Sequence, residues 1–228
     1  MSAPGPVVRL ENVSKIYRTG SLTLKALDDV SLCAEEGEFL LLHGPSGSGK
    51  TTLLNIVGCL ARPTRGRYWL DGEDISHFPE HFLAKLRRER LGCVSQQYNL
   101  IAGYSVLENV TMALLPAAIP AKQRAQRAKY WLHRLGLLTR SNFLANELSG
   151  GEQQRAALAR ALAAEPSILL ADEPIASIDA RWVETVIEIF QELKQSGKTV
   201  LLSSHLLPAG MEDLIDRTIS LADGQVTA

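Results

Sequence analysis

The segment Gly44-Pro45-Ser46-Gly47-Ser48-Gly49-Lys50-Thr51 limits what this chain can fold into more than any other stretch in it. It matches the pattern GxxxxGK[ST], follows an apolar run at 39–42 and precedes a helical pattern at 52–59. A strand that enters a glycine-rich loop and leaves as a helix is a phosphate cradle. The glycines let successive N–H groups turn inward around anionic oxygens, and the helix start adds its positive dipole end. In that setting Lys50 reaches the β- and γ-phosphates of a nucleotide, and the Thr51 hydroxyl, followed by Thr52, can hold Mg²⁺. A glycine-rich turn with an incidental lysine would not need the strand before it and the helix after it.

The rest of the chain agrees with such a core. Short β-rich runs at 7–10, 23–27, 68–70, 91–94, 167–171, 199–203 and 220–222 alternate with longer helical patterns. That alternation predicts an α/β fold with a mainly parallel sheet. Asp71-Gly72 and Asp223-Gly224 each predict a tight turn after a strand. Between 96 and 165 the character changes, with helical patterns at 105–114, 122–135 and 151–164 and hardly a strand among them. In 122–135, Ala125, Ala128, Leu132 and Leu135 recur at helical spacing, leaving Lys122, Arg124, Arg127 and Lys129 mostly outward. The layout predicts one domain over 1–228, its α/β core at about 1–95 and 166–228, with a helical subdomain inserted at about 96–165.

Composition narrows the function. Hydrophobic residues make up 46% and charged residues 21%, an ordinary globular balance. A net charge of −1 argues against nucleic acid as a partner, because binding by phosphate neutralisation needs a basic excess. The basic run from Lys85 to Arg90 reads as a solvated helix face. Cys33, Cys59 and Cys93 lie far apart and read as buried thiols in a reducing compartment, not as a disulfide frame or a zinc site. No apolar run approaches the ~18–20 residues that cross a bilayer, and the start at Met1 shows no secretory pattern. Any work at a membrane is expected from its aqueous side.

Two further constellations carry chemistry. The apolar run Ile168-Leu169-Leu170-Ala171 ends in Asp172-Glu173, which puts two acids at the carboxyl edge of the sheet, where open α/β folds bind ligands. Asp172 suits the Mg²⁺ shell and Glu173 suits activation of an attacking water. The second constellation is Leu148-Ser149-Gly150-Gly151-Glu152. Ser149 and Glu152 form a capping box, which accounts structurally for those two residues. It does not account for Gly150 and Gly151, which cost helix stability but let exposed N–H groups approach an anion.

In that order, the P-loop, the Leu148–Glu152 signature and the Asp172-Glu173 strand end resemble the nucleotide-binding domains of ABC transporters, over nearly the whole chain. The resemblance implies a P-loop NTPase core of ABC type with an N-terminal antiparallel β region. Its cofactors would be ATP and Mg²⁺. It also implies roles at single positions. Tyr17 would stack on adenine, although a lone tyrosine at a strand end also serves packing. Gln96, which fits the family spacing better than Gln97, would sense Mg²⁺ and the γ-phosphate and border a docking groove. Asp179 would belong to the D-loop, and His205 would contact the γ-phosphate unless it is a structural histidine. Two copies would face head to tail, each P-loop closed by the other copy's Ser149-Gly150-Gly151. A separate permease-type membrane subunit would dock near Gln96 and the helical subdomain, placing the protein peripherally on the cytoplasmic face of the inner membrane. The stretches 56–60, 96–100 and 107–110 most resemble the branch of lipoprotein-releasing, macrolide-export and cell-division ATPases.

The pattern is not followed everywhere. Ile175 and Ala176 replace a usual threonine and a usual glycine or serine, and Leu206 replaces an acid after the histidine. Ala102-Gly103-Tyr104 replaces a proline-containing segment, and Glu152 replaces a commoner glutamine. None removes a catalytic group. A soluble ABC ATPase without a transporter is the alternative. A DNA-maintenance ATPase of that kind would show heptads between P-loop and signature, which are not sustained here. A regulatory subunit that uses ATP only to dimerise would not need Asp172, Glu173 and His205 together. A small-molecule P-loop kinase would leave Leu148–Glu152 unexplained.

Overall fold

The computed structural model describes residues 5–20, 22–116 and 119–227, so most of the N-terminal stretch read for a secretory signal lies outside the described residues. The strands in chain order are β1 (Val8–Thr19), β2 (Leu22–Ala34), β3 (Phe39–His43), β4 (Arg65–Leu70) and β5 (Glu73–Asp74). They continue as β6 (Leu91–Val94), β7 (Ile168–Asp172), β8 (Thr199–Ser203), β9 (Arg217–Ala222) and β10 (Gln225–Thr227). The helices are α1 (Lys50–Val57), α2 (Glu80–Arg90), α3 (Val106–Met112), α4 (Ala121–Arg134), α5 (Gly150–Ala163) and α6 (Ala180–Gln195).

One sheet is antiparallel, in the order β2-β1-β4-β5. The other runs β10-β9-β3-β8-β7-β6, with β3, β6, β7, β8 and β9 parallel and β10 turned back on β9. The side chains of this second sheet separate two apolar cores with the strand period of two. Phe39, Leu169, Ala171, Val200 and Leu202 face the helices α3 to α6. Leu40, Leu42, Ile168, Leu170 and Leu201 face α1, α2 and the antiparallel sheet. Strands buried on both faces read as continuous apolar runs, as 39–42 and 168–171 do.

Between β6 and β7 the described residues form helices α3, α4 and α5 and short 3₁₀ turns. Ala128, Leu132 and Leu135 pack inward from and just beyond α4, as the spacing predicts, while Ala125 is only half-buried. Helix α5 is lined with alanine (Ala156, Ala157, Ala159, Ala161 and Ala163 are all buried), which lets neighbouring elements approach its backbone closely.

Three differences from the sequence reading have physical causes. The hairpin β1–β2 is far longer than the runs at 7–10 and 23–27, because Asn12 (φ 50°) and Asp29 (φ 56°) make bulges that break the alternation without ending the strands. Helix α1 begins at Lys50, two residues early, because Gly49 serves as its N-cap. Helix α6 falls where no helix is expected. Its Val183, Thr185, Val186, Ile187 and Ile189 are β-branched and lower its local helix signal. Tertiary burial of Val186, Ile189 and Phe190 overrides that preference.

Candidate functional site

The parallel order of β3, β7 and β8 brings their carboxyl ends to one edge, and the chemistry-bearing residues gather there. A cleft of about 420 Å³ is lined by Tyr17, residues 46–52, Gln96, Asp172, Glu173 and His205. Its far wall comes from Leu24, Lys25 and Ala26 of β2 and from Asp223 and Gly224 after β9. The sequence reading did not include that wall, whose residues carry no phosphate-binding signature: Leu24 to Ala26 meet the loop only once the two sheets pack, and Gly224 meets it by donating its N–H to the Ser48 carbonyl.

The P-loop helix brings no acid of its own to an anion, since α1 has no side-chain cap and no acid in its first turn. Gly49 adopts φ 107°, and a Cβ there would stand 2.7 Å from the Ala26 carbonyl oxygen, so the loop needs glycine at that point. Lys50 is 7% exposed, and its Nζ donates to the carbonyls of Gly44 (2.7 Å) and Pro45 (2.9 Å).

Asp172, the last residue of β7, is buried and fully engaged. Its Oδ2 accepts from Thr51 Oγ1 at 2.6 Å, and its Oδ1 accepts a short hydrogen bond from Ser203 Oγ. Ser203 ends β8 in register with Asp172 and so aims the carboxylate at α1. Next to it Glu173 takes a left-handed conformation, φ 52°. That turn swings its side chain away from the strand, and Glu173 Oε1 lies 3.4 Å from His205 Nε2.

The signature residues and Asp179 are elsewhere. Ser149, Gly150, Gly151 and Glu152 open α5 outside this cleft, and Asp179 stands before α6 with its carboxylate 3.9 Å from Arg155 Nη2 and 3.8 Å from Arg181 Nη2. The capping box is present. Ser149 Oγ accepts from the Glu152 N–H (3.3 Å), and Glu152 Oε2 accepts from the Ser149 N–H (2.9 Å). That backbone N–H, helped by Arg140, holds the Glu152 carboxyl below its ordinary range. Gly151 also has a packing reason of its own, because a Cβ on it would lie 2.7 Å from the Ser177 carbonyl oxygen.

Ile175, Ala176 and Leu206, which depart from the family pattern, do not line the cleft. Ile175 packs against the helical core, Ala176 is exposed, and Leu206 is 87% exposed beside His205. The basic run at 85–90 is largely tied to its own chain: Arg87 donates to the Cys59 carbonyl and to Glu80, and Arg90 to Asp71.

A phosphate loop, a hydroxyl–carboxylate pair and a second acid on one sheet edge define a P-loop nucleotide hydrolase. The chain belongs to the ABC transporter family, whose model matches residues 27–176, and it is an ATP-hydrolysing, nucleotide-binding subunit of that family. It is 43% identical over 220 residues to an uncharacterized ABC transporter ATP-binding protein of Thermotoga maritima, covering 96% of this chain and 93% of that one. It is 43% identical over 223 residues to the macrolide export ATP-binding/permease protein MacB of Rhodospirillum rubrum, covering 98% of this chain but 34% of that protein. Among solved structures, the ATP-binding cassette MJ0796, dimeric in a post-hydrolysis state and bound to ADP and Pi, superposes with a TM-score of 0.91 at 40% identity, covering 97% of both chains. Among the described residues no helix is long and apolar enough to cross a membrane.

Proposed function

We propose that the cleft binds Mg·ATP and that two copies close head to tail over two nucleotides. Each copy would bring Ser149, Gly150 and Gly151 to the ATP held by the other. The observation that carries this reading is the separation of two anion-binding devices. The P-loop faces the acid pair within one cleft, whereas the well-capped start of α5 stands outside that cleft. The dimeric cassettes among the relatives support that arrangement.

Each group in the cleft then has a task. Tyr17 offers its ring to adenine, and the backbone from Gly44 to Thr52 wraps the phosphates. Lys50 exchanges its carbonyl partners for phosphate oxygens. Thr51, Asp172 and Gln96 would hold Mg²⁺, and the fit is visible in the Thr51–Asp172 contact at 2.6 Å, where an oxygen pair faces the loop. When bound, the ion neutralises charge between the β- and γ-phosphates. Glu173 accepts the proton of the attacking water, and His205, 3.4 Å away, orients that carboxylate and reaches the γ-phosphate. Asp179 stays beside Arg155, close to the start of α5 and so to the other copy's nucleotide.

Loss of the γ-phosphate removes what bridges the copies and lets them part. That movement would drive a permease-type membrane subunit seated near Gln96 and the helical subdomain, with this chain peripheral on the cytoplasmic face. Its support is the fused ATP-binding/permease form of the MacB relatives. The test is Glu173→Gln. Turnover should fall about 10²-fold or more while ATP binding persists, because a general base is removed and no phosphate contact is lost. Size-exclusion chromatography with Mg·ATP should show a trapped dimer. Near-normal turnover, or a monomer at high concentration with ATP, would sink the reading.

A further inference from the structure

Beyond its cap, α5 carries a polar side chain that the reading above does not use. Gln154 is 2% exposed, and both ends of its amide are engaged with backbone. Its Nε2 donates to the carbonyl of Glu173 at 2.5 Å, and its Oε1 accepts from the N–H of Ser177 at 2.8 Å. These two groups bracket the turn that begins with the acid. On the other side of the same residue, the Glu173 N–H donates to the Ser203 carbonyl (3.1 Å) and to Ser203 Oγ (3.2 Å). The peptide groups on both sides of the Glu173 Cα are therefore gripped, one from β8 and one from α5.

That grip matters because of the backbone between the two contacts. A left-handed conformation in a non-glycine residue is strained and persists only where its surroundings impose it. Glu173 holds that conformation at φ 52°, and it directs the side chain toward His205. A buried amide whose partners are both backbone has little freedom to adjust if one contact is lost. Two neighbouring contacts steady the turn. The first turn of α5 lies against the Ser177 carbonyl at Gly151, and from the loop after β6 the Tyr98 hydroxyl donates to Ser177 Oγ at 3.0 Å.

We infer that Gln154 is a positioning residue for hydrolysis, holding the Glu173 turn in the conformation that presents the carboxylate to water. The inference rests on the assignment of Glu173 as the base. It also gives the start of α5 a second task. The helix whose tip would meet one ATP fixes, one turn later, the acid that acts on the other.

The test is Gln154→Met, which keeps the volume and removes both hydrogen bonds. Steady-state ATPase assays on the full chain should show kcat reduced on the order of 10²-fold, the scale expected when a reacting group is misplaced by a remote change. The KM for ATP should stay within about twofold, since no ground-state contact is lost. With Mg·ATP the variant should accumulate dimer, as expected of Glu173→Gln, an outcome that general damage to the fold would not give. Gln154→Leu is the second variant, should the first not fold. It also removes both hydrogen-bonding ends, with a branched side chain that fills the site differently, so kcat should again fall without KM. A kcat within about threefold of wild type in a folded variant, or a change confined to KM, overturns the inference. If Glu173→Gln is inactive and the Gln154 variants are not, this inference alone fails. If Glu173→Gln turns over normally, the assignment beneath it has failed.

Discussion

A methyl group added to Gly151 would stand 2.7 Å from the Ser177 carbonyl oxygen, whereas one added to Gly150 would meet only the Tyr98 hydroxyl at 3.6 Å. The two neighbours are therefore separable by experiment. Gly151→Ala should destabilise the free chain by about 1–3 kcal/mol in denaturant titration, because the turn after β7 must move. Gly150→Ala should stabilise it by about 0.5–1 kcal/mol, the ordinary helix preference of alanine over glycine. Yet Gly150→Ala should weaken ATP-dependent dimerisation of a Glu173→Gln background, since its side chain would fill the space a phosphate approaches. Unchanged dimerisation would mean that alanine is tolerated at position 150 and glycine is not required there. At this scale the sequence made Lys50, Thr51, Asp172 and Glu173 legible, because motif and strand end fix their relative places. Ser203 and Gln154 were not legible. Each acts through a partner 19 or more positions away, and a serine or glutamine at such a place has no pattern of its own.

Helix α5 shows how an element joins stability to its task. Its Glu152 carboxylate accepts the Ser149 N–H and hydroxyl and lies 3.2 Å from Arg140 Nε. Because its pKa is lowered on folding, it stabilises the folded chain above the ordinary carboxylate range and ceases to as pH falls through the depressed value. Glu152→Gln keeps an acceptor for the cap and loses the charge. Near pH 7 that variant should be less stable by about 0.3–1 kcal/mol, and the gap should close as pH falls below the ordinary carboxylate range. A gap independent of pH would assign the effect to packing. Elements were legible where one signal dominated. The strands 39–42, 91–94 and 199–203 read as apolar runs, and α4 as a stripe. Helix α6 and the long hairpin were hidden for opposite reasons. In α6, β-branched residues imitate strand, while in β1 and β2 two left-handed residues interrupt a pattern that the chain nevertheless continues.

Across the whole molecule, the two apolar cores on either face of the parallel sheet fix a rigid edge, and the cleft opens along that edge between Tyr17 and His205. The mixed α/β architecture was readable because alternating strands and helices admit few arrangements. The packing of the antiparallel sheet against α1, which supplies Leu24 to Ala26 as a wall, was not, since it depends on pairings between distant strands. That α5 begins outside the cleft has a kinetic consequence. An enzyme with a complete centre in each chain gives a specific activity independent of how far it is diluted. If, as proposed, competent centres arise only by encounter, the rate per milligram should climb in proportion to protein until pairing saturates. A dilution series of the wild-type chain at fixed Mg·ATP reads this directly, and a flat line would locate every necessary group within one molecule.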